Sequence, residues 1–456
     1  MCVSLVTSSA SCEGSVTLRS SAPGSRAAPP TTTSTATRWT TGDAHSPGLT
    51  VPVREMFPAL ADSTEVYLDS AATTQKPLAV IDAVHRYHSS HTSNAGRGTY
   101  PWATALGTRL SRIRTRTAAF VGADHPDEIV FTSGATAALN AVALSWGFAE
   151  LRDGDEILYN PGDHVSNVYP WHHLRELLAR SGRRITLIPY RMTATGEADT
   201  DDILAKTTPR TRLVTTSHLH HVFGGRTTLE ELRGRIDPSV LLCFDCSQSG
   251  GHLPIDVTEL GADFAIFSAH KMFGAPGTGV LYCHRRIHDR LLPFLPGGNS
   301  GVRLTETGLT TTGMPELMEG GTHNIPGILA LGAALDVLES LDLAVIAAHD
   351  RALTLRLIDG LRQVPGLDFL PGPAYAACEV GYGIVSFTLT GITSADAGFV
   401  LSELGFLVRT GLHCTVSDED GTRDVDSVRV STHIYNTAEE IDRLIRCVRT
   451  IAQEVS

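Results

Sequence analysis

Phe267 to Gly279 reads FSAHKMFGAPGTG, and Lys271 within it is one of only three lysines in a chain that otherwise carries its basic charge on arginine. A solvated amine of pKa ~10 is a poor nucleophile, whereas a neutral amine can condense with an aldehyde. Lys271 follows a strand-like run and sits between His270 and a turn containing Gly274, Pro276, Gly277 and Gly279. There it can lose solvent and stay partly neutral. Taken alone, the stretch suits a phosphate-contacting or surface lysine equally well.

Asp245 closes another strand-like run, Val240–Phe244, in FDCSQ, and Gln248 follows three residues later. In a parallel sheet, side chains at the carboxyl ends of neighbouring strands converge on one crevice, so Asp245 and Lys271 can meet there. An acid that keeps a pyridine nitrogen protonated and an amine that carries an aldehyde suit pyridoxal phosphate. Asp245 could equally be a helix cap after its strand. A phosphate would need its own anchor. FTSGATAALN, Phe131–Asn140, reads as a strand end, a Ser-Gly turn and a helix start whose free N–H groups, with the hydroxyls of Thr132 or Thr136, can face an anion. An ordinary helix start looks the same.

These residues need a frame. Short β-branched runs at Glu128–Phe131, Glu156–Tyr159, Ile185–Pro189, Arg212–Thr216, Val240–Phe244, Phe264–Phe267 and Gly279–Tyr282 alternate with helical patterns such as Ala135–Phe148, Pro170–Arg180 and Leu229–Arg235. That alternation predicts an α/β fold with a mainly parallel seven-stranded sheet covered on both faces. After about Pro326 long helical patterns, Gly327–Ser340 and Leu343–Gln363, precede strands at Ile384–Thr390, Phe406–Arg409 and Ser427–Thr432, a helix near Ser394–Leu404 and a terminal helix from Ala438. The expected division is a large domain over 51–325, with the packing of its N-terminal segment on the small domain left open, and a smaller α+β domain over 326–456. The first 50 residues, rich in Ser, Thr, Ala and Pro, read as a disordered or targeting extension.

The 456 residues, 42% hydrophobic and 19% charged, suffice for a large core. A net charge of −12 without a basic stripe argues against nucleic-acid or anionic-membrane partners and for a small molecule. No apolar run approaches the roughly 20 residues of a membrane span. Eight scattered cysteines point to a reducing compartment, so the expected location is cytoplasmic, with organellar import left open by the extension. Cys243-x-x-Cys246 straddles Asp245 on a strand without a second paired motif, and no metal is expected.

FSAHKMFGAPGTG, FDCSQ and FTSGATAALN occur in order with YLDSAATTQKP at Tyr67–Pro77, MEGGTHN at Met318–Asn324, VRTGLHC at Val408–Cys414 and SVRVSTHIYNTAEEID at Ser427–Asp442. From about residue 54 to the C-terminus, the chain resembles the class V, fold-type I pyridoxal-phosphate enzymes, in particular the cysteine desulfurase and selenocysteine lyase group of the sulfur-mobilisation type. The resemblance implies that Lys271 carries the cofactor and moves the substrate α-proton. It implies that Asp245 and Gln248 contact the pyridine nitrogen and ring hydroxyl, and that His164 stacks on the ring. Ala135, Thr136, Ser268 and His270 would bind phosphate, with Thr322 completing that site from a second subunit of a homodimer. Arg429 would grip the substrate carboxylate, a task suited to a planar fork. Cys414 would attack the sulfur of the substrate, L-cysteine or a related sulfur or selenium amino acid, leaving alanine and a persulfide for a sulfur-acceptor protein; alternatively it is a loop thiol kept by descent. His413 beside it could act on protons or simply be exposed.

The sequence also departs from that pattern. His221, in HLHHVFG, stands where an asparagine that helps hold the substrate carboxylate is usual. Around Asn94, counted with His221 as substrate-binding, SNAGRGTYPWA has Gly96 and Tyr100 where histidines are usual. After Cys414 the chain continues TVSDEDGTRDVDS, acidic where apolar residues are usual, which bears on persulfide chemistry and acceptor docking. A class V aminotransferase, epimerase or biosynthetic C–S lyase is therefore the alternative activity. A cofactor-binding scaffold without catalysis is the alternative class, opposed by the joint presence of Lys271, Asp245, Gln248 and Arg429.

Overall fold

A computed structural model describes residues 53–95, 98–227, 230–377, 381–416 and 426–455. The N-terminal extension, Gly96 and most of the acidic continuation after Cys414 lie outside them.

All seven expected strands form and lie in one sheet. In chain order they are β1 Ile129–Thr132, β2 Glu156–Tyr159, β3 Thr186–Pro189, β4 Thr211–Ser217, β5 Leu241–Asp245, β6 Phe264–Ser268 and β7 Gly279–Cys283. Their order across the sheet is β1-β7-β6-β5-β4-β2-β3. From β6 to β3 every pairing is parallel, while β7 runs antiparallel to both β6 and β1. The central strands β5, β6 and β7 are buried along their whole length, which is why they read as continuous apolar runs without alternation. Their register sets Ser217 beside Asp245, and Ser268 beside Gly279. The carboxyl ends of β1, β4, β5 and β6 thus share one edge with the start of β7, where ligands bind open α/β sheets.

A second sheet is antiparallel, with β8 Leu367–Phe369, β9 Ile384–Leu389, β10 Arg409–Gly411 and β11 Ser427–Ser431 in the order β8-β9-β11-β10. The expected strand Phe406–Arg409 is divided. Phe406 and Leu407 pair in parallel with Val66 and Tyr67, whereas Arg409 belongs to β10 and pairs with Arg429. The early segment around Val66 and Leu68 accordingly packs into the same apolar cluster as the second sheet.

Helix α1, Ala135–Ala141, opens at the crevice and continues as a π-helical turn over Val142–Gly147. Helix α2, Ile325–Leu341, is apolar on nearly every side and buried accordingly, followed by α3, Leu343–Leu361. The last helix, α4, Ala438–Val455, buries Ile441, Leu444, Ile445, Val448, Ile451 and Ala452, the single stripe that a 3.6-residue period lays against a core. No helix among the described residues is long and apolar enough to cross a membrane.

Candidate active site

A cavity of about 430 Å³ opens where the sheet edge meets the second sheet. Ala135, Thr136, His164, His221, Asp245, Gln248, Ser268, His270, Lys271, Cys414 and Arg429 all line it. Eleven of the thirteen expected site residues are thus gathered from segments nearly 300 positions apart. Asn94 and Thr322 are exposed and do not line this cavity.

Lys271 ends a 3-10 turn, Ala269–Lys271, that leaves β6. Burial pulls its amine down to about 8, against the opposing charge of Asp245, while Arg429 pushes in the same direction as burial. The turn is pinned from below. The carbonyl of His270 accepts hydrogen bonds from the Thr74 N–H, the Thr73 and Thr74 hydroxyls and, at 2.7 Å, the Lys76 amine. Burial lowers the Lys76 amine to about 7. This support was present in the sequence only as the quoted TTQKP, with no role attached to Lys76, the first of the three lysines.

Asp245 accepts the Ser247 N–H at 2.9 Å, the local bond of a cap, yet its carboxyl also lines the cavity. Gln248 donates one amide hydrogen to the Ala71 carbonyl at 2.9 Å. Across the cavity, Gly134 caps α1 at φ 148 without offering a side chain, so the first-turn N–H groups of Ala135 and Thr136 are available to an anion. The Thr136 and Ser166 hydroxyls are 2.8 Å apart beside them. A Cβ on Gly279 would stand 2.7 Å from Gly134 Cα, so this turn can rest on β7 only where no side chain intervenes.

The histidines are neutral by burial. His164 is drawn down to about 4 by burial and then by the charge of Lys271, and its Nδ1 accepts the Ser166 N–H at 3.1 Å. The His221 ring meets His164 edge-on, with centroids 5.1 Å apart. His221 is only 3% exposed, and neither of its ring nitrogens has a protein partner. Burial drives its pKa well below the ordinary histidine value, with His220 and His164 adding to the effect.

Arg429, on β11, is 3% exposed. It donates through Nη1 to the His221 carbonyl at 2.9 Å and through Nη2 to Asp69 at 3.3 Å, and its buried Nε has no partner. Asp69 also accepts from Nε of Arg409 at 3.1 and 3.2 Å, so one carboxylate braces two guanidinium groups on adjacent strands. Neither Asp69 nor Arg409 was singled out from the sequence, although both stand inside quoted motifs, and Arg409 lines the cavity.

Cys414 is exposed at the cavity mouth, close enough for its charge to act on Lys271, Arg409 and Arg429. It and His413 both take left-handed backbone angles, φ 64 and 54. Its carbonyl accepts the Val165 N–H at 2.9 Å, which ties the thiol's loop to the turn bearing His164. His413 is buried, with Nε2 2.9 Å from the Ser427 hydroxyl, so the exposed reading of this residue is set aside. Cys243 and Cys246 are free thiols in the core, and burial raises both above the usual thiol range.

Comparison with known proteins agrees with this arrangement. The family model for class-V aminotransferases matches residues 66–444. The chain belongs to this family. Class-V relatives include a probable cysteine desulfurase of Vibrio cholerae, 34% identical over 401 residues that cover 87% of this chain and 96% of the relative. A cysteine desulfurase of Klebsiella pneumoniae is 35% identical over 406 residues, 88% and 97% of the two chains. Among solved structures, the apo cysteine desulfurase of Thermococcus onnurineus superposes with a TM-score of 0.80 at 29% identity, over 88% of this chain and 98% of that one. A cysteine desulfurase of Escherichia coli gives 0.78 at 29% identity, over 90% and 100%.

Proposed function

We propose that this class-V protein is a pyridoxal-phosphate-dependent cysteine desulfurase, which cleaves the Cβ–S bond of L-cysteine to give L-alanine and a persulfide on Cys414. The observation that carries this reading is the meeting, in one cavity, of a desolvated Lys271 amine, the Asp245 carboxyl, the uncapped start of α1, the Arg429 guanidinium and the Cys414 thiol.

The donor set fits the cofactor. Lys271 would hold its aldehyde, Asp245 its pyridine nitrogen and Gln248, through its second amide hydrogen, its ring hydroxyl. His164 would flank the ring. The N–H groups of Ala135 and Thr136, with Ser268 and His270, would hold the phosphate. Bound there, pyridoxal phosphate supplies an electron sink for negative charge at the substrate Cα.

The remaining work falls to the chain. Arg429 presents an unpaired, buried Nε, a group whose desolvation costs about 1–3 kcal/mol unless something accepts from it. The substrate carboxylate answers that need, and the unpartnered imidazole of His221 offers it a second contact. Once substrate has displaced the Lys271 amine, that amine, neutral in a large fraction near pH 8, takes and returns the Cα proton. Cys414 sulfur bonds to the substrate sulfur as the Cβ–S bond breaks. The bonding pair stays with carbon, which gains one proton, matching the one given up by the Cys414 thiol, and becomes the alanine methyl. L-cysteine and a Cys414 thiol thus become L-alanine and a Cys414 persulfide, with atoms balanced.

The working unit in this reading is a homodimer. Thr322 is exposed and does not line the cavity of its own chain, so it suits the phosphate end of a second copy. Exposed Leu78, Ile81, Tyr100 and Trp102, on helices Leu78–Ser89 and Pro101–Val121 and the residue before the latter, supply apolar surface for such a contact. Asn94 would reach a substrate from the same exposed region. Exposure of Cys414 suits handover of sulfur to an acceptor protein.

His221 supports a second reading, C–S lyase or another class-V reaction on a different amino acid. One experiment separates them. Protein loaded with pyridoxal phosphate is incubated with L-cysteine and a reductant, and alanine and sulfide are measured. Equal amounts of the two, abolished by Cys414→Ala while the cofactor absorbance is retained, support the desulfurase. Pyruvate in place of alanine, or full activity in the variant, excludes it.

A further inference from the structure

Beneath the candidate site lies a second buried cluster, His252, Asp350 and His433, exposed by 2%, 0% and 0%. One potential ligating atom from each falls within 4.8 Å of the others. The bonding identifies it as a hydrogen-bonded acid and not as a cation site. His252 donates from Nδ1 to Asp350 Oδ2 at 2.7 Å. Two nitrogen or oxygen ligands on a tetrahedral ion would stand about 3.3 Å apart. His433 accepts the Ile434 N–H on Nδ1 at 2.8 Å, which leaves the ring proton on Nε2 and no lone pair there for a metal. That Nε2 and the second oxygen of Asp350 are both buried without a hydrogen-bond partner, one a donor and the other an acceptor.

The cluster is tied to the segments that carry Gln248, Lys271 and Arg429. His252 ends the turn that begins at Gln248, where its N–H bonds to the Ser249 carbonyl at 2.9 Å. His433 lies four residues beyond Arg429, and its ring packs on Phe273, two residues beyond Lys271, with centroids 4.6 Å apart. Phe273 is fully buried and held at φ 65. Asp350, on α3, is extended by Thr354, whose hydroxyl donates to the Asp350 carbonyl at 2.7 Å and accepts the Gly383 N–H at 2.9 Å at the head of β9.

We infer that His252, Asp350 and His433 form a positioning cluster that sets the reach between Arg429 and the Lys271–Asp245 pair, so that amino-acid binding depends on it while cofactor binding does not. The roles of those three residues are taken from the function proposed above. The full chain, loaded with pyridoxal phosphate, is compared with Asp350→Asn and with His433→Phe, which keeps the ring stack and removes the N–H. The expected result is a rise of about tenfold in the L-alanine Kd, read from the cofactor absorbance, and in KM for L-cysteine, with kcat and cofactor affinity nearly unchanged. An unchanged L-alanine Kd in both variants overturns the inference, as does a parallel loss of cofactor affinity. A stoichiometric transition metal in the purified wild-type protein overturns it too. If the L-alanine effect appears and the wild type releases no sulfur from L-cysteine, the positioning role stands and the desulfurase reading falls.

Discussion

Arg429 donates to the backbone carbonyl of His221 at 2.9 Å, which makes the strand bearing the buried guanidinium and the loop bearing the unpartnered imidazole one unit. Moving either moves the other. The two groups that depart most from simple solvation, an orphaned Nε and an orphaned ring, face the same cavity from fixed positions.

This predicts that Arg429→Lys is not a conservative change. A lysine keeps the charge and loses the fork that serves His221, Asp69 and a carboxylate together. Charge-assisted bonds of about 1.5–3 kcal/mol translate to a rise in KM of roughly 10- to 100-fold. Steady-state kinetics with L-cysteine check this, and a KM within twofold of wild type would refute it.

Lys271 supplies a pH prediction. Burial lowers the amine to about 8, and the neutral form is the one that captures an aldehyde. The neutral fraction grows with pH, so the rate of pyridoxal phosphate capture should climb through pH 8 and level off about one unit above it. Stopped-flow absorbance on cofactor-stripped protein follows the rate. A rate still climbing at pH 10 would mean that the amine is solvated.

Acid sensitivity follows from the buried imidazoles. Burial depresses His218 to about 3 and His220 to about 4, and holds His221 and His433 well below the ordinary value. Above an unfolded pKa of about 6.5 both states are neutral and the stability is fully present. As pH falls below it, the unfolded chain binds protons that the native state refuses, and stability is lost by up to about 1.4 kcal/mol per group per pH unit until the folded values are reached. Asp163 works in the opposite sense. Burial, aided by the charge of Asp245, raises it to about 7, so the native state holds its proton in acid, but it is one group against four. Tm should therefore fall by several degrees between pH 7.5 and 5, and a level Tm over that range would contradict the neutral assignments.

How much of this could be read from the sequence depends on the range of the cause. The strands β5 to β7 announce themselves because burial on both faces leaves nearly unbroken apolar runs, a local signature. The division at Phe406–Arg409 has no such signature. Phe406 is claimed by Val66 and Arg409 by Arg429, pairings set by segments far away in the chain. Asp245 and Lys271 were legible because a strand end followed by a polar residue marks a crevice in any parallel sheet. Asp69 was not, since nothing near it says that two arginines more than 300 residues later will share its carboxylate. The cluster of His252, Asp350 and His433 was invisible for the same reason.

Gly279→Ala tests whether the phosphate end is built as described. The added Cβ would lie 2.7 Å from both Cα and the carbonyl carbon of Gly134 and 2.9 Å from the Thr132 hydroxyl. Two of those three neighbours are backbone, so the clash cannot be relieved by a rotamer change and must push the turn before α1 away from β7. Overpacking of this kind costs about 1–3 kcal/mol. It also misaims the N–H groups of Ala135 and Thr136, so cofactor affinity should fall more than the stability loss alone explains, and excess pyridoxal phosphate should restore part of the activity. Occupancy after dialysis, read from the cofactor absorbance, checks the first point, and activity against added cofactor checks the second. Full occupancy at unchanged Tm would show that the turn does not rest on β7 as this packing requires.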